Sequence, residues 1–190
     1  DSWRGTWAMD GGVLTNQASH HVDMLEWMMG DVESVFAKMT TALANVETED
    51  TAIVTLKFKN GALGIIEATT ATRPANLEGS ISILGENGTV VVGGVAVNEM
   101  QTWAFEDVKD GDSTVLEEFS VNPPNVYGFG HQAYYEHAVD CIENGSANLV
   151  DGLQGRKSIE LISAIYESAE TGKEVFLKFQ PKHCRLGQKS

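Results

Sequence analysis

Along Ala52–Lys59 the side chains alternate, with Ile53, Thr55 and Lys57 on one side and Val54, Leu56 and Phe58 on the other, before the run meets Asn60-Gly61. Strict alternation predicts a strand, and Asn-Gly between two such runs predicts a tight hairpin. Ala62–Thr72 is then the returning strand. Val35–Leu43 is read as a strand ahead of this pair, across an acidic stretch that holds Glu47, Glu49 and Asp50. Glu78–Leu84 and Thr89–Val92 flank Gly85-Glu86-Asn87-Gly88, while Val95–Phe105 and Val115–Val121 flank the acidic turn Asp110-Gly111-Asp112. Tight turns join only antiparallel neighbours, so the middle of the chain is expected to be an antiparallel sheet.

The ends of the chain carry a helical period. After Pro123-Pro124, Ala133, Tyr134, His137, Ala138, Cys141 and Ile142 form one stripe, which predicts a helix over Gly130–Glu143 stopped by Gly145. A further helix is expected from Asp151, a good N-cap, through Ile159, Leu161, Ile162, Ile165, Tyr166 and Ala169 to Gly172. Glu174–Phe179 reads as a last short strand. The fold class is therefore α+β: an open, mainly antiparallel sheet with helices packed on one face. Residues 1–179 form the domain and 180–190 a polar tail.

Met9–Gly30, MDGGVLTNQASHHVDMLEWMMG, carries the densest chemistry. A Gly-Gly bend is followed by Asn16, Gln17, His20, His21 and Asp23, and then by Met24, Leu25, Trp27, Met28 and Met29. Thr15 or Asn16 is expected to cap a helix running from Gln17 to Met29, with Gly30 closing it. With Val22, the apolar residues leave almost no polar stripe, which predicts a helix inside the protein. His20 falls in its first turn, where unsatisfied N–H groups and the helix dipole disfavour protonation. An uncharged imidazole is what a general base requires.

The pattern Gly11-Gly12, Asn16, His20, Asp23, an apolar helix and Gly30 resembles the second domain of the glucose-fructose oxidoreductase and inositol dehydrogenase family of NAD(P)-dependent enzymes. The resemblance implies that His20 acts as acid/base on the hydroxyl being oxidised. Many members have Asp where this chain has Asn16; an amide suits orientation of a substrate hydroxyl but takes up no proton. The wording WRGTWAMDGGVLTNQASHHVD together with VYGFGHQAYYEHAVDCI is similar to one branch, the UDP-N-acetylglucosaminuronate 3-dehydrogenases of bacterial surface-polysaccharide synthesis. It implies oxidation at C3 of a UDP-linked sugar acid, with Arg4, Asn16 and Gln17 positioning the sugar and Tyr127 and His131 facing the same cleft. It also implies a homo-oligomer assembled through the free face of the sheet.

Composition adjusts this picture in a few places. The 190 residues and 42% hydrophobic content are sufficient for one well-filled domain. A formal charge of -14 excludes nonspecific nucleic-acid or anionic-membrane binding, both of which need basic surface. An anionic sugar nucleotide must then rely on local cations, of which Arg4 and Arg73 are the candidates. Cys141 and Cys184 suggest neither a zinc site nor a disulfide framework, and Cys141 reads as a buried thiol. No apolar stretch has the length of a membrane span and no basic region introduces one, so a soluble, cytoplasmic protein is expected.

Gly128-Phe129-Gly130-His131-Gln132-Ala133 matches the dinucleotide pattern G-x-G-x-x-A letter for letter. Its setting refuses the match, since such a fingerprint follows a strand within a βαβ unit and here two helices come in succession. No cofactor-binding residues are therefore assigned; NAD(P) belongs to the intact family enzyme. The family's cofactor domain, with the lysine it contributes, has no counterpart in these residues, so the isolated chain is expected to be inactive. A metal at His20, His21 and Asp23 is disfavoured because adjacent helical residues point about 100° apart. A serine hydrolase would need G-x-S-x-G, which is absent. The acidic stretches 47–50 and 106–112 are read as solvated loops. An alternative to the enzyme reading is a catalytically silent oligomerisation or carbohydrate-binding module.

Overall fold

A computed structural model describes residues 3–77, 79–94, 97–121, 123 and 128–178. Chain contacts divide it into two units, residues 1–76 with 150–190 and residues 77–149. The polar tail lies outside the described residues.

The first unit opens with α1 (Val13–Asn16) and α2 (Ser19–Met29), followed by β1 (Val32–Thr40), β2 (Thr51–Phe58) and β3 (Leu63–Thr69). The chain returns to it as α5 (Gly152–Thr171) and β7 (Val175–Phe176). These strands make one antiparallel sheet in the order β3-β2-β1-β7. The hairpin of β2 and β3 turns where Asn60-Gly61 required: Gly61 has φ +92. Asn60 also bonds in two directions, its carbonyl oxygen accepting from the Ala62 N–H at 3.0 Å and its amide donating to the Met29 carbonyl at 2.9 Å.

Alternation along the strands sends Val35, Ala37, Val54, Leu56, Phe58, Ile66 and Ala68 to one face, where they meet Leu161, Ile162, Ile165 and Tyr166 of α5. Asp151 caps α5 by accepting from the Leu153 and Gln154 N–H groups, both at 2.9 Å, and Gly172 closes it at φ +66. Both ends match the sequence expectation. The opposite face of the sheet carries exposed Phe36, Ile53, Leu63 and Ile65.

The second unit holds β4 (Ile81–Leu84), β5 (Gly88–Gly93) and β6 (Glu99–Phe105), a separate antiparallel sheet in that order, with α3 (Val115–Glu118) and α4 (Gly130–Asn144). The expected strand over Val115–Val121 is not formed. Leu116, Glu117 and Glu118 are good helix formers, and the Glu118 and Phe119 N–H groups close helical bonds to Thr114 and Val115. Contact with β6 comes instead from side chains, as where Ser120 Oγ accepts from the Met100 N–H at 3.0 Å.

The apolar helix after the Gly-Gly bend also departs from expectation. It is two helices, and in α2 the buried residues are Val22 and Glu26, while Trp27 is 81% exposed. The reason is placement: α2 lies beside α5 at the margin of the core, so only one of its sides is covered. Apolar content alone did not bury it.

Candidate functional site

The site segment starts from a folded turn. Gly11 has φ +72, and the Asp10 and Gly11 N–H groups both donate to the Thr6 carbonyl. Asp10 then collects the polar residues: its carboxylate accepts from the Asn16 amide at 2.9 Å and from the Gly5 N–H at 3.2 Å, and its carbonyl from the Thr15 hydroxyl at 2.7 Å. Gln17 donates to the Asn16 amide oxygen at 2.8 Å. Asp10, Asn16 and Gln17 thus form one hydrogen-bonded row with amide donors and acceptors fixed in direction.

This geometry corrects the expected cap. Asn16 ends α1 and its side chain is taken by Asp10, so the residue preceding α2 is Ala18, without a side-chain cap. The N–H groups of Gln17 and Ala18 both reach the Val13 carbonyl, which ties the start of α2 directly to α1. His20 lies in the first turn of α2, as expected, but stands exposed, and among the described residues its imidazole has no hydrogen-bond partner. The neighbouring His21 is partly buried, and burial, with the adjacent His20, lowers its pKa. His21 Nε2 is a buried nitrogen without a partner.

Beneath the segment lies a set of buried groups that the sequence did not disclose. Thr48, Glu49 and Asp50 are 1%, 4% and 1% exposed, so of the first acidic stretch, expected to be a solvated loop, only Glu47 is exposed. Asp50 accepts from the Ala42, Leu43 and Ala44 N–H groups at 2.7–2.8 Å and from the Thr51 hydroxyl at 2.9 Å. Desolvation pushes its pKa up, but these donors together prevail and hold it well below the usual carboxylate range. Glu49 accepts from the Leu14 N–H at 3.0 Å and the Tyr166 hydroxyl at 2.8 Å. Burial, ahead of every other cause, raises its pKa, and burial likewise raises that of Tyr166.

Of the remaining candidates, Arg4 and Arg73 belong to the first unit and His131 to the second, and one lies outside the described residues. Arg4 sits with its guanidinium carbon 5.5 Å from the centre of the exposed Trp3 ring, next to the Gly5 that bonds Asp10. Arg73, offered as a second local cation, is exposed and donates to its neighbour's carbonyl, Thr72 O, at 2.7 Å. His131 occupies the first turn of α4, in the second unit, and is exposed. Tyr127 lies outside the described residues.

Comparison with known proteins bears directly on this arrangement. Residues 1–177 match the family model described as "Oxidoreductase family, C-terminal alpha/beta domain". The chain belongs to this family. Among solved structures, the WlbA dehydrogenase of Bordetella pertussis in complex with NADH and UDP-GlcNAcA is 44% identical, with a TM-score of 0.87 over 95% of this chain and 52% of that one. The WlbA dehydrogenase of Chromobacterium violaceum, with the same two molecules bound, is 46% identical with a TM-score of 0.85, over 95% of this chain and 50% of that one. A D-apiose dehydrogenase of Rhizobium rhizogenes is 24% identical over 86% of this chain and 48% of its own length. The chain thus spans about half the length of the relatives it matches.

For an oxidoreductase-family domain the natural question is where a nicotinamide dinucleotide would sit. The described strand pairs are all antiparallel, and the glycines at 128 and 130 lead into α4 and then α5 with no strand between. A dinucleotide site needs a parallel strand, a glycine turn and a helix N-terminus in succession. Among the described residues no such unit is formed. No metal-binding group of three or more His, Cys, Asp or Glu occurs among them, and no described helix is long and apolar enough to cross a membrane. What the segment offers is an exposed imidazole beside a fixed row of amides, which can take a proton and direct hydroxyls.

Proposed function

We propose that this chain is the substrate-binding domain of an NAD(P)-dependent dehydrogenase that oxidises a hydroxyl of a sugar, at C3 of a UDP-linked sugar acid. The supporting observation is the exposed imidazole of His20 on the first turn of α2, directly after the row Asp10, Asn16 and Gln17. Likeness to two dehydrogenases solved with NADH and UDP-GlcNAcA supports the substrate class. In this reading His20 accepts the hydroxyl proton while Asn16, Gln17 and Arg4 orient the sugar. The nicotinamide is held elsewhere than in the described residues, so the domain by itself does not turn over.

The test is His20→Ala in catalytically competent protein, meaning this domain joined to a nicotinamide-binding one. Turnover should fall about a hundredfold or more, with sugar-nucleotide affinity little changed. An unaltered turnover number would remove His20 from the chemistry.

A second reading concerns assembly. Ile53, Leu63 and Ile65 are 54%, 78% and 73% exposed on the sheet face that α5 does not cover, where they stand among Thr55, Lys57 and Glu67, and large apolar side chains so placed suit a partner surface. We infer a homo-oligomer joined there. Light scattering should give a mass of at least twice the protomer, and Ile65→Lys should return it to the monomer.

A further inference from the structure

The Gly-Gly turn ahead of α1 is held from below by side chains far from it in sequence. The Tyr166 hydroxyl accepts from the Gly12 N–H at 3.2 Å and donates to the Glu49 carboxylate at 2.8 Å. Glu49 accepts from the Leu14 N–H at 3.0 Å through one of its oxygens, and its own carbonyl accepts from the Val13 N–H at 3.1 Å. Thr48 donates from its hydroxyl to the Gly11 carbonyl at 3.0 Å. The Gly11 carbonyl and the N–H groups of Gly12, Val13 and Leu14 are therefore engaged by Thr48 and Glu49, in the loop before β2, or by Tyr166 of α5. The same backbone feeds the site: the Gly12 carbonyl accepts from the Asn16 N–H at 3.0 Å and the Thr15 hydroxyl at 3.1 Å. The Val13 carbonyl receives the N–H groups of Gln17 and Ala18, immediately ahead of α2.

A carboxylate and a phenol of this kind are expensive to bury, and a core built for stability alone would use apolar groups at that place. Their geometry is specific: no side chain fits at Gly12, because a Cβ there would overlap the carboxylate and the carbonyl of Glu49. We propose that Glu49 and Tyr166 are positioning residues for the catalytic segment, fixing where the first turn of α2 places His20. They touch neither substrate nor cofactor in this account; they act through the Gly12–Leu14 backbone. The inference rests on the His20 reading given above.

The experiment is a double-mutant cycle in catalytically competent protein, combining Tyr166→Phe and Glu49→Gln, each separately, with His20→Ala. Tyr166→Phe keeps the ring that packs edge-on against Trp7, with centroids 5.6 Å apart, and Glu49→Gln keeps the side-chain volume. Each single change should lower kcat about tenfold or more, since small displacements of a reacting group are costly, while KM moves less than about twofold. In the His20→Ala background the same changes should cost less than about twofold, because the group they position is gone. A loss that is equal in both backgrounds, or one borne by KM, would show general structural damage and overturn the proposal. Unchanged kcat in both variants alongside a deficient His20→Ala would overturn the positioning role alone. Unchanged kcat in His20→Ala would overturn the His20 reading and this proposal with it.

Discussion

Two acidic stretches of similar composition, residues 47–50 and 106–112, meet opposite fates. In the second, Glu106–Gly111 remain exposed, and the Asp112 carboxylate accepts from the Lys109 N–H and the Trp103 ring N–H. In the first, Asp50 and Glu49 are among the most enclosed polar side chains described. Acid content is no guide to which is which. The difference is the supply of backbone donors: Asp50 is surrounded by the turn at Ala42, Leu43 and Ala44, and Glu49 by the turn at Leu14, whereas the exposed stretch is met mostly by water. A carboxylate goes inside where a folded turn presents unsatisfied N–H groups to it.

The contrast breaks most sharply at Asp50. Asp50→Ala would strand the Ala42, Leu43 and Ala44 N–H groups and should destabilise the domain by about 3 kcal/mol or more, read from urea unfolding midpoints. A loss below about 1 kcal/mol would mean that water replaces the carboxylate freely. Gly12→Ala comes next: the added methyl meets Glu49 rather than solvent, and overpacking of this kind should cost about 1–3 kcal/mol in the same measurement. At Gly111, whose Cβ position is open space, the cost should come from its φ of +96 alone, about 1 kcal/mol.

Glu26 sharpens the comparison from the other side, because it is 8% exposed and one of its oxygens, Oε2, has no partner. Burial pushes its pKa up to about 6, against Lys157, which lowers it, and with Asp31, Glu160 and Asp23, which raise it further. The native state then holds this proton more tightly than the unfolded chain. Its stabilising contribution is complete below pH 4.5 and is lost as pH rises through about 6. Glu26→Gln should therefore leave stability unchanged at pH 4.5 and raise it by about 1 kcal/mol at pH 8, after allowance for solvent screening. Asp50 behaves in reverse, contributing above pH 3.8 and losing that contribution in acid. The smallest effect is expected at Asp110→Ala in the exposed stretch, within about 0.5 kcal/mol at any pH; a larger change there would dissolve the distinction between the two stretches.

Legibility in the sequence followed the range of the interaction. The β2–β3 hairpin was readable because Asn60-Gly61 states its own turn, and α5 because Asp151 and Gly172 mark its ends locally. The place of His20 in the first turn of α2 was readable too, but its exposure was not, since the helix was expected inside the protein. The break between α1 and α2 was not, since it depends on Asp10 drawing Asn16 away from a capping role. Nor was the burial of Glu49, whose partner Tyr166 is 117 positions along the chain. The strand expected over Val115–Val121 from its place after the acidic turn misled because Asn98 and β6 meet that segment through side-chain bonds rather than a ladder. For the site, residue types and spacing indicated the imidazole and the amides, while Asp10, which aligns the amides, lay unnoticed in the Met-Asp-Gly-Gly bend.

One consequence follows from the turn at Asn60, whose amide nitrogen donates to the last carbonyl of α2. Asparagine is thermolabile, and hydrolysis of this amide would leave an aspartate there. The new oxygen would confront the Met29 carbonyl, replacing a donor by a second acceptor carrying charge at the negative pole of the helix. Prolonged storage or heating should thus loosen the far end of the helix that bears His20, making the hairpin tip a chemical clock for the age of the molecule.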